Sequence, residues 1–534
     1  MAHPMVDEKQ IEAPEVLNMT KHLSDDSLPS NAVGDEALEF LKQHGVEGNF
    51  SHDAARMAAL RRKIDVRVIP FLALAYLMNY LDKITLNYAN VMGISKQLHL
   101  VGNDFTNASS AFWIAVLIFE FPSSKHNGAA QLFHRGTSDI SLVYLLQRLP
   151  VGKYLAFTLF GWAVATACTA SATTFSGLVT ARVFSGIFEA AVPPCLMLIS
   201  GQWYTRQEQI IRFVWWYLGT ACGMIIGGFT SWCFQHVSAK APIEGWRIMY
   251  IVLGLLTLVL ATLIWFLVPD SPMSARFLND QEKVSLLEHV KINQTGVENR
   301  RNFSWAEVRE AFTDFQLWCQ WLIMLLEGGG GGVITTYSAT LIKGFGYTPK
   351  ESALLNMGGG AVAITTCLLT SYGVRFFGNR WAFLIFITCP GIIGAALMAY
   401  LPKSDKTGLL AGIYLVTAIF AAVPIQFSWI TANVAGHTKK RVATTILNAA
   451  FAIGNIIGPQ TFRAKDAPAY TPAKASMMSF QCVIIALSIS MYIYYRVVNK
   501  KRDQKSSAAG EDIADSQAFA GLTDKQNPRF RYVY

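Results

Sequence analysis

From Asp65 onward the chain is a succession of apolar stretches, each close to the roughly 20 residues an α-helix needs to cross a hydrocarbon core. Twelve can be counted, near 66–92, 106–124 with a resumption at 144–147, 153–172, 177–202, 211–235, 247–268, 315–342, 352–374, 380–400, 408–434, 442–462 and 474–497. In lipid every backbone N–H and C=O must be satisfied within the protein, so segments of this length and composition are expected as helices, and the chain as an all-α polytopic membrane protein. The balance of 52% hydrophobic to 15% charged residues, with 33 Phe and 13 Trp, agrees, since a soluble globular protein carries more charge. One long polar break, 269–314, falls after the sixth stretch. Six plus six around a polar loop predicts two related six-helix bundles with a solute site near the membrane midplane between them. The expected division is a tail at 1–62, a bundle at 63–268, a central loop at 269–314, a second bundle at 315–498 and a tail at 499–534.

Basic residues orient the chain. Arg61, Arg62 and Lys63 precede the first stretch, Lys500, Lys501 and Arg502 follow the last, and the central loop carries Lys283, Lys291, Arg300, Arg301 and Arg309. Both termini are therefore expected in the cytoplasm. The rule is blunted by Lys240, Lys343, Lys350, Lys403 and Lys406, which fall in loops expected on the other side. The net charge of +9 is scattered in short clusters between apolar runs, which fits headgroups and cytoplasmic loops and argues against nucleic acid. The eight Cys show no CxxC or metal spacing and read as small apolar packing residues. Residues 1–60 lack an apolar run of signal-peptide type, so the first helix is expected to direct insertion. That tail, with a short amphipathic stretch at Gly34–His44, and the polar tail after Asn499 are expected to be disordered and cytoplasmic.

Charges inside the spans are the candidates for function, because an ionised side chain at membrane depth costs about 3 kcal/mol or more and normally lines a polar cavity. Arg182 and Glu189 are seven residues apart in the fourth stretch. On a helix they fall within roughly 20° of one face and about 10 Å apart along the axis. Either they serve solute and proton or they form an internal ion pair locking two helices. In the first stretch Asn79, Asp82, Lys83 and Asn87 interrupt an apolar span. Asp82 and Lys83 are adjacent, so they point about 100° apart and cannot pair face to face. An acid able to gain a proton beside a fixed cation is what a proton-coupled anion site requires. Glu120 and Glu327 are further acids at depth, and Gln426, Asn433, Asn448 and Asn455 are polar groups equally suited to interhelical hydrogen bonds. Gly219, Gly223 and Gly227 form a four-residue stripe that signals close helix packing. The run Gly328–Gly332 beside Glu327 should weaken its helix, as tolerated where a span lines a cavity or bends.

The motifs YLDKITLNYAN at 80–90, TARVFSGIFEAAVPP at 180–194, YGVRFFGNR at 372–380 and AGHTKKRVATTILNAAFAIGNIIGPQTFRAKDAPAY at 435–470 together resemble the fungal anion:cation symporter branch of the major facilitator superfamily, typified by allantoate permease. The resemblance spans about residues 60–500. It implies the major facilitator fold and proton-coupled import of a small organic anion such as allantoate, ureidosuccinate, nicotinate or another vitamin or nitrogen-source acid, with no cofactor, by a monomer in the plasma membrane. Carried over by position, it makes Arg182 the partner of a substrate carboxylate and Glu189 a protonatable group. The acid–base pair of the first helix falls on Asp82 and Lys83; Asn79 and Asn87, read from the residues alone, are candidate further solute contacts and equally suited to interhelical hydrogen bonds. Lysine stands where many relatives have arginine, and gives a point charge in place of a bidentate fork. The superfamily's loop signature survives as Gly373, Arg375, Gly378 and Arg380 between helices eight and nine, which the resemblance assigns to gating. Between helices two and three it is reduced to the stretch 147–153.

One departure stands out. Where relatives run without a break through FEFPSSYLLQRLPVGKY, Ser124 and Tyr144 are here separated by KHNGAAQLFHRGTSDISLV, residues 125–143. As helix this polar insert would be about 28 Å long, close to a whole hydrocarbon core, so it cannot lie within the span. Either it loops into the cytoplasm, with helix two ending near Ser124, or it spoils the packing of helix two, and its abruptness suggests a retained intron or a gene-model error. An enzyme is not expected: HExxH and GxSxG motifs are missing, and the HxxxD spacings, His3–Asp7 and His22–Asp26, fall in the polar amino-terminal tail and not beside a span. The rival to a carrier is a nutrient sensor or inactive relative that keeps the transporter fold without moving solute.

Overall fold

The computed structural model describes residues 54–120, 149–238, 240–291, 304–466, 470–508, 523–527 and 529–534. The insert 125–143 and the amphipathic stretch 34–44 lie outside these residues. Among the described residues there is no strand, and eleven helices are long and apolar enough to cross a membrane. In chain order, α1 is Ala54–Met92, α2 Asp104–Glu120, α3 Val151–Thr169, α4 Phe175–Glu189 continued by Val192–Trp203, α5 Arg206–Tyr217 continued by Gly219–Phe234, and α6 Gly245–Leu267. After two loop helices, Asp280–Lys291 and Trp305–Phe312, come α7 Phe315–Gly344, α8 Pro349–Phe377 and α9 Arg380–Tyr400. The series ends with α10, Lys406–Thr417 continued by Ala422–Asn433, then α11 His437–Gln460 and α12 Thr471–Ala508. The one below spanning length is α2, which runs for 17 residues up to the edge of the described region.

Local chemistry sets the boundaries. Thr348 caps α8 through a capping box with Glu351, Pro349 occupies the first turn, and Gly378 ends the helix at φ 70°, a left-handed conformation that favours glycine. The breaks inside α4 and α10 trace to proline, which lacks an N–H and clashes with the carbonyl four residues back. Pro193 and Pro194 follow the break at Ala190–Ala191. Pro424 follows a 3₁₀ turn at Ala418–Ala421 and releases the Phe420 carbonyl, which accepts a hydrogen bond from the Tyr217 hydroxyl at 3.2 Å.

Side chains exposed on the helix flanks are large and apolar, among them Phe229, Leu255, Leu256, Val259, Phe266, Phe386 and Ile393, as lipid contact requires. Between helices the small residues matter most. A Cβ on Gly219 would sit 2.8 Å from the backbone of Leu77, so the glycine stripe of α5 lies against α1 as expected. Helix α7 passes through the Gly328–Gly332 run unbroken, and Gly331 lines an internal cavity, as expected of a weakened span. Its glycines form a groove for α11: a Cβ on Gly458 would stand 2.1 Å from the Gly329 carbonyl oxygen, and one on Gly454 2.1 Å from that of Leu325. Close backbone packing replaces the helix stability that glycine forgoes.

The end of the molecule at which α1 begins and α12 ends, here the terminus face, is laced by ion pairs. Arg61 meets Glu208 at 2.9 Å, Arg212 meets Asp65 at 2.9 Å, and Lys63 reaches Glu282 of the loop helix at 2.7 Å. The tail after Asn499 differs from the sequence expectation of disorder. Helix α12 continues to Ala508, and residues 523–527 and 529–534 pack back onto the second bundle. Lys439, fully buried, is 2.9 Å from Glu310 and 2.6 Å from each of Asp314 and Asp524. The Tyr532 hydroxyl donates to Asp524 at 2.7 Å, and Arg380 donates its backbone N–H to the Tyr534 carbonyl at 2.8 Å. A polar segment is ordered here because its carboxylate and aromatic rings complete a buried network.

Candidate functional site

The charged residues of α1 and α4 meet inside the first bundle, and they pair crosswise. Asp82 and Lys83 diverge around α1, so each addresses a different residue of the α4 face that carries both Arg182 and Glu189. Arg182 Nη1 is 3.1 Å from Asp82 Oδ2, and Lys83 Nζ is 2.6 Å from Glu189 Oε1.

The two pairs differ in their surroundings. Asp82 also accepts from the Thr166 hydroxyl of α3 at 3.1 Å, and Arg182 is bonded to the Tyr250 hydroxyl of α6, with its guanidinium 5.4 Å from the Tyr250 ring centroid. Arg182 and Asp82 are 2% and 3% exposed, enclosed by four helices. Lys83 is 16% exposed, donates to Asn79 Oδ1 at 2.7 Å and stands 5.2 Å from the Trp113 ring centroid. Tyr250, Thr166 and Trp113 escaped the sequence reading, because a hydroxyl or indole in an apolar run carries no signal until its partner is known.

Lys83 and Asn79 line a cavity between the bundles, together with Tyr80, Trp113, Tyr217 and Glu327. Arg182, Asp82, Glu189 and Asn87 are not in its lining. The Asn79 amide nitrogen is buried without a hydrogen-bond partner among the described residues. Glu327 is 2% exposed with no described cation paired to it and Gln426 as the polar side chain beside it. In this conformation the cavity is about 40 Å³, room for water but not for an organic solute.

Two seams close it. On the far face Asn87 is bonded to the hydroxyls of Ser338 and Thr340 at 3.0 and 3.2 Å, Asn90 donates to Thr340 at 3.1 Å, and Thr106 meets Tyr337 at 2.5 Å. Asn87 thus joins α1 to α7. Toward the terminus face, contact between α5 and α10 includes Phe213 against Phe427, ring centroids 6.3 Å apart, and the bond from Tyr217 to the Phe420 carbonyl. The loop residues flank this end: Gly373 packs on the Phe383 ring, Arg375 is exposed, Gly378 caps α8, and Arg380 bonds Ser428 of α10 at 3.0 Å.

Comparison with known proteins gives a consistent picture. Residues 137–459 match the Major Facilitator Superfamily. The thiamine pathway transporter THI73 of Saccharomyces cerevisiae is 33% identical over 94% of both chains. The allantoate permease of the same yeast is 30% identical over 89% of this chain and 87% of its own. Among solved structures, a D-xylose-proton symporter superimposes with a TM-score of 0.59 over 80% of this chain and 97% of its own, at 12% identity, a likeness of fold alone.

Proposed function

The chain belongs to the major facilitator superfamily and is a multi-pass membrane transporter, and from that premise we propose that it imports a small organic anion together with a proton. The observation that carries this reading is Lys83, a cation that faces the cavity between the bundles while its other side holds Glu189. Beside it the free amide nitrogen of Asn79 offers a donor to a carboxylate. A substrate carboxylate and Glu189 compete for the same ammonium. A proton on Glu189 resolves the competition: it removes the charge that would otherwise be left buried without a partner, which is costly, and releases Lys83 to the solute.

Asp82 takes a different part. With Arg182, Tyr250 and Thr166 around it, the Asp82–Arg182 pair is a fixed brace that holds α1, α3, α4 and α6 together and keeps Lys83 aimed at the cavity. Arg182 supports the substrate through this brace, with Lys83 and Asn79 as the contacts. Glu327 across the cavity must be neutral for an anion to enter, so it carries a second proton or faces a cationic group of the solute.

The transport cycle is alternating access. Parting of the Asn87–Ser338 and Thr106–Tyr337 seam opens the cavity to the far face. Parting of the Phe213–Phe427 contact opens it to the terminus face, which in this reading is the cytoplasmic side of the plasma membrane, an orientation supported by the Arg and Lys that flank the first and last spans. The bundles are assigned to 63–268 and 315–498, with Gly373, Arg375, Gly378 and Arg380 as the gating loop. Thiamine-pathway and allantoate roles belong to the relatives. A small carboxylate is the class that Lys83 and Asn79 fit.

The test is uptake of labelled allantoate, ureidosuccinate and nicotinate at external pH 5 and 7 in cells expressing the chain with and without residues 125–143. Uptake of one anion, greater at pH 5 and lost in Lys83→Met, is expected. If neither form moves any of them at either pH while both reach the membrane, a sensor or another solute class takes the place of this reading.

A further inference from the structure

Two of the lysines that blur the charge bias of the sequence, Lys343 and Lys403, come together with Lys96 and Lys474. On the far face a second cavity, about 500 Å³, opens among the ends of α1 and α7, the α9–α10 connection and the start of α12. Lys96, Lys343, Lys403 and Lys474 line it and no acidic side chain does. No described carboxylate forms an ion pair with any of the four.

Lys474 is the least comfortable of them. It is only 7% exposed, and its ammonium lies 5.5 Å from the Phe345 ring centroid. It also sits in the first turn of α12, the end of a helix where a cation is disfavoured. A buried charge without a counter-charge is expensive, so the arrangement calls for an anion. Tyr470, which lines the same cavity, is held at φ 49°, a strained conformation for a non-glycine residue and of a kind that clusters at ligand sites. The cavity floor is the closed seam itself: Asn90 and Thr340, hydrogen bonded at 3.1 Å, belong to the lining, and Lys343 donates to the Val91 carbonyl at 3.4 Å.

We propose that this cavity is an anion-binding vestibule, distinct from the central cavity, that holds a carboxylate or phosphate group between Lys474, Lys343, Lys403 and Lys96 against the closed seam. Its occupant neutralises Lys474 and touches the residues that must part for the far face to open. Its service as a collecting point for the transported solute rests on the anion-import reading above, whereas anion binding itself does not.

The experiment is calorimetric titration of inorganic phosphate into the full chain, purified into nanodiscs of phosphatidylcholine. One saturable site per chain is expected. Its affinity should fall at least tenfold in the Lys343→Gln/Lys474→Gln variant and severalfold in Lys403→Gln, an exposed position whose replacement leaves folding intact. It should be unchanged in Lys83→Met, so the site is tested independently of transport. Unaltered affinity in both vestibule variants, or loss in Lys83→Met alone, overturns the proposal. In nanodiscs containing phosphatidylinositol, a weakened phosphate affinity identifies a lipid headgroup as the resident anion. An unchanged affinity identifies a free solute, and either result keeps the site.

Discussion

Lys83 and Glu189, on different helices, are 2.6 Å apart, and only the lysine of the pair reaches the cavity between the bundles. One residue earlier on α1, Asp82 is bound the opposite way round, to Arg182. The crossed arrangement gives the two pairs separable roles. In Lys83→Met, Glu189 loses its cation, and in Asp82→Asn, Arg182 loses its counter-charge. Breaking a buried ion pair costs about 3–5 kcal/mol, so Arg182→Met and Asp82→Asn should lower the thermal unfolding temperature of the purified protein steeply. Lys83→Met combined with Glu189→Gln should recover much of the stability lost in Lys83→Met alone, without recovering uptake.

The two acids near the cavity are separated by their neutral replacements. Glu189→Gln should leave anion exchange at equal pH intact and abolish the stimulation of uptake by a proton gradient. Glu327→Gln keeps shape and fixes the neutral form that anion entry requires, so anion uptake should persist. Counterflow and gradient-driven uptake, measured side by side in proteoliposomes, distinguish these outcomes.

Where α7 and α11 meet, there is no room for a methyl group. Gly458→Ala would place its Cβ 2.1 Å from the Gly329 carbonyl oxygen unless the helices part. Overpacking of this kind costs about 1–3 kcal/mol, to be read as a fall in the unfolding temperature. Gly201→Ala, with open space around its Cβ position, is the control and should leave stability within about 0.5 kcal/mol.

The Lys439 network ties the end of the chain to the second bundle. Lys439→Met leaves Asp314 and Asp524, both fully buried, without their shared cation, and should cost about 3 kcal/mol or more. Asp524→Asn leaves Lys439 with Glu310 and Asp314 and should cost about 1–3 kcal/mol. Limited proteolysis of the region after 508 should accelerate in both variants.

At the terminus face the ion pairs bring a pH dependence of known sign. Burial works to raise the Glu208 carboxyl, but hydrogen bonds from the Thr205 backbone and from His289 outweigh it and leave it below its usual 4.5. Glu282 is lowered likewise, by Lys63 and the Asn279 backbone against its own burial. A carboxylate depressed in the folded state adds stability that is present above its unfolded value and is lost as pH falls through the folded one. Unfolding temperature should therefore hold from pH 7 to about 5 and drop below about 4.5, and Glu208→Gln should flatten that drop, with a loss on the order of 1 kcal/mol at neutral pH.

Much of this was legible from residue order, and the limits are instructive. The apolar series fixes the helices because lipid leaves the backbone no alternative. The seven-residue spacing of Arg182 and Glu189, and the adjacency of Asp82 and Lys83, follow from helix period alone. Which acid meets which base does not, since that depends on how α1 is rotated against α4. For the same reason Asn87 and Asn79, eight residues apart on α1, come to differ in role, one in the seam and one in the cavity. The glycine run of α7 was read through its local propensity, and the partner that compensates it, α11, lies more than a hundred residues away. Asp524 gave no signal in a polar tail. The alternating basic and aromatic residues of Arg529–Tyr534 were the one available hint that the tail docks.

The most direct test of the account is proton movement itself. The full chain and its Lys83→Met variant, reconstituted in proteoliposomes with no imposed gradient, are exposed to each candidate carboxylate while external pH is recorded. One anion entering the vesicles should alkalinise the outside in the wild type and leave the variant flat. Anion entry without a pH change in the wild type, or an equal pH change in Lys83→Met, would contradict this expectation.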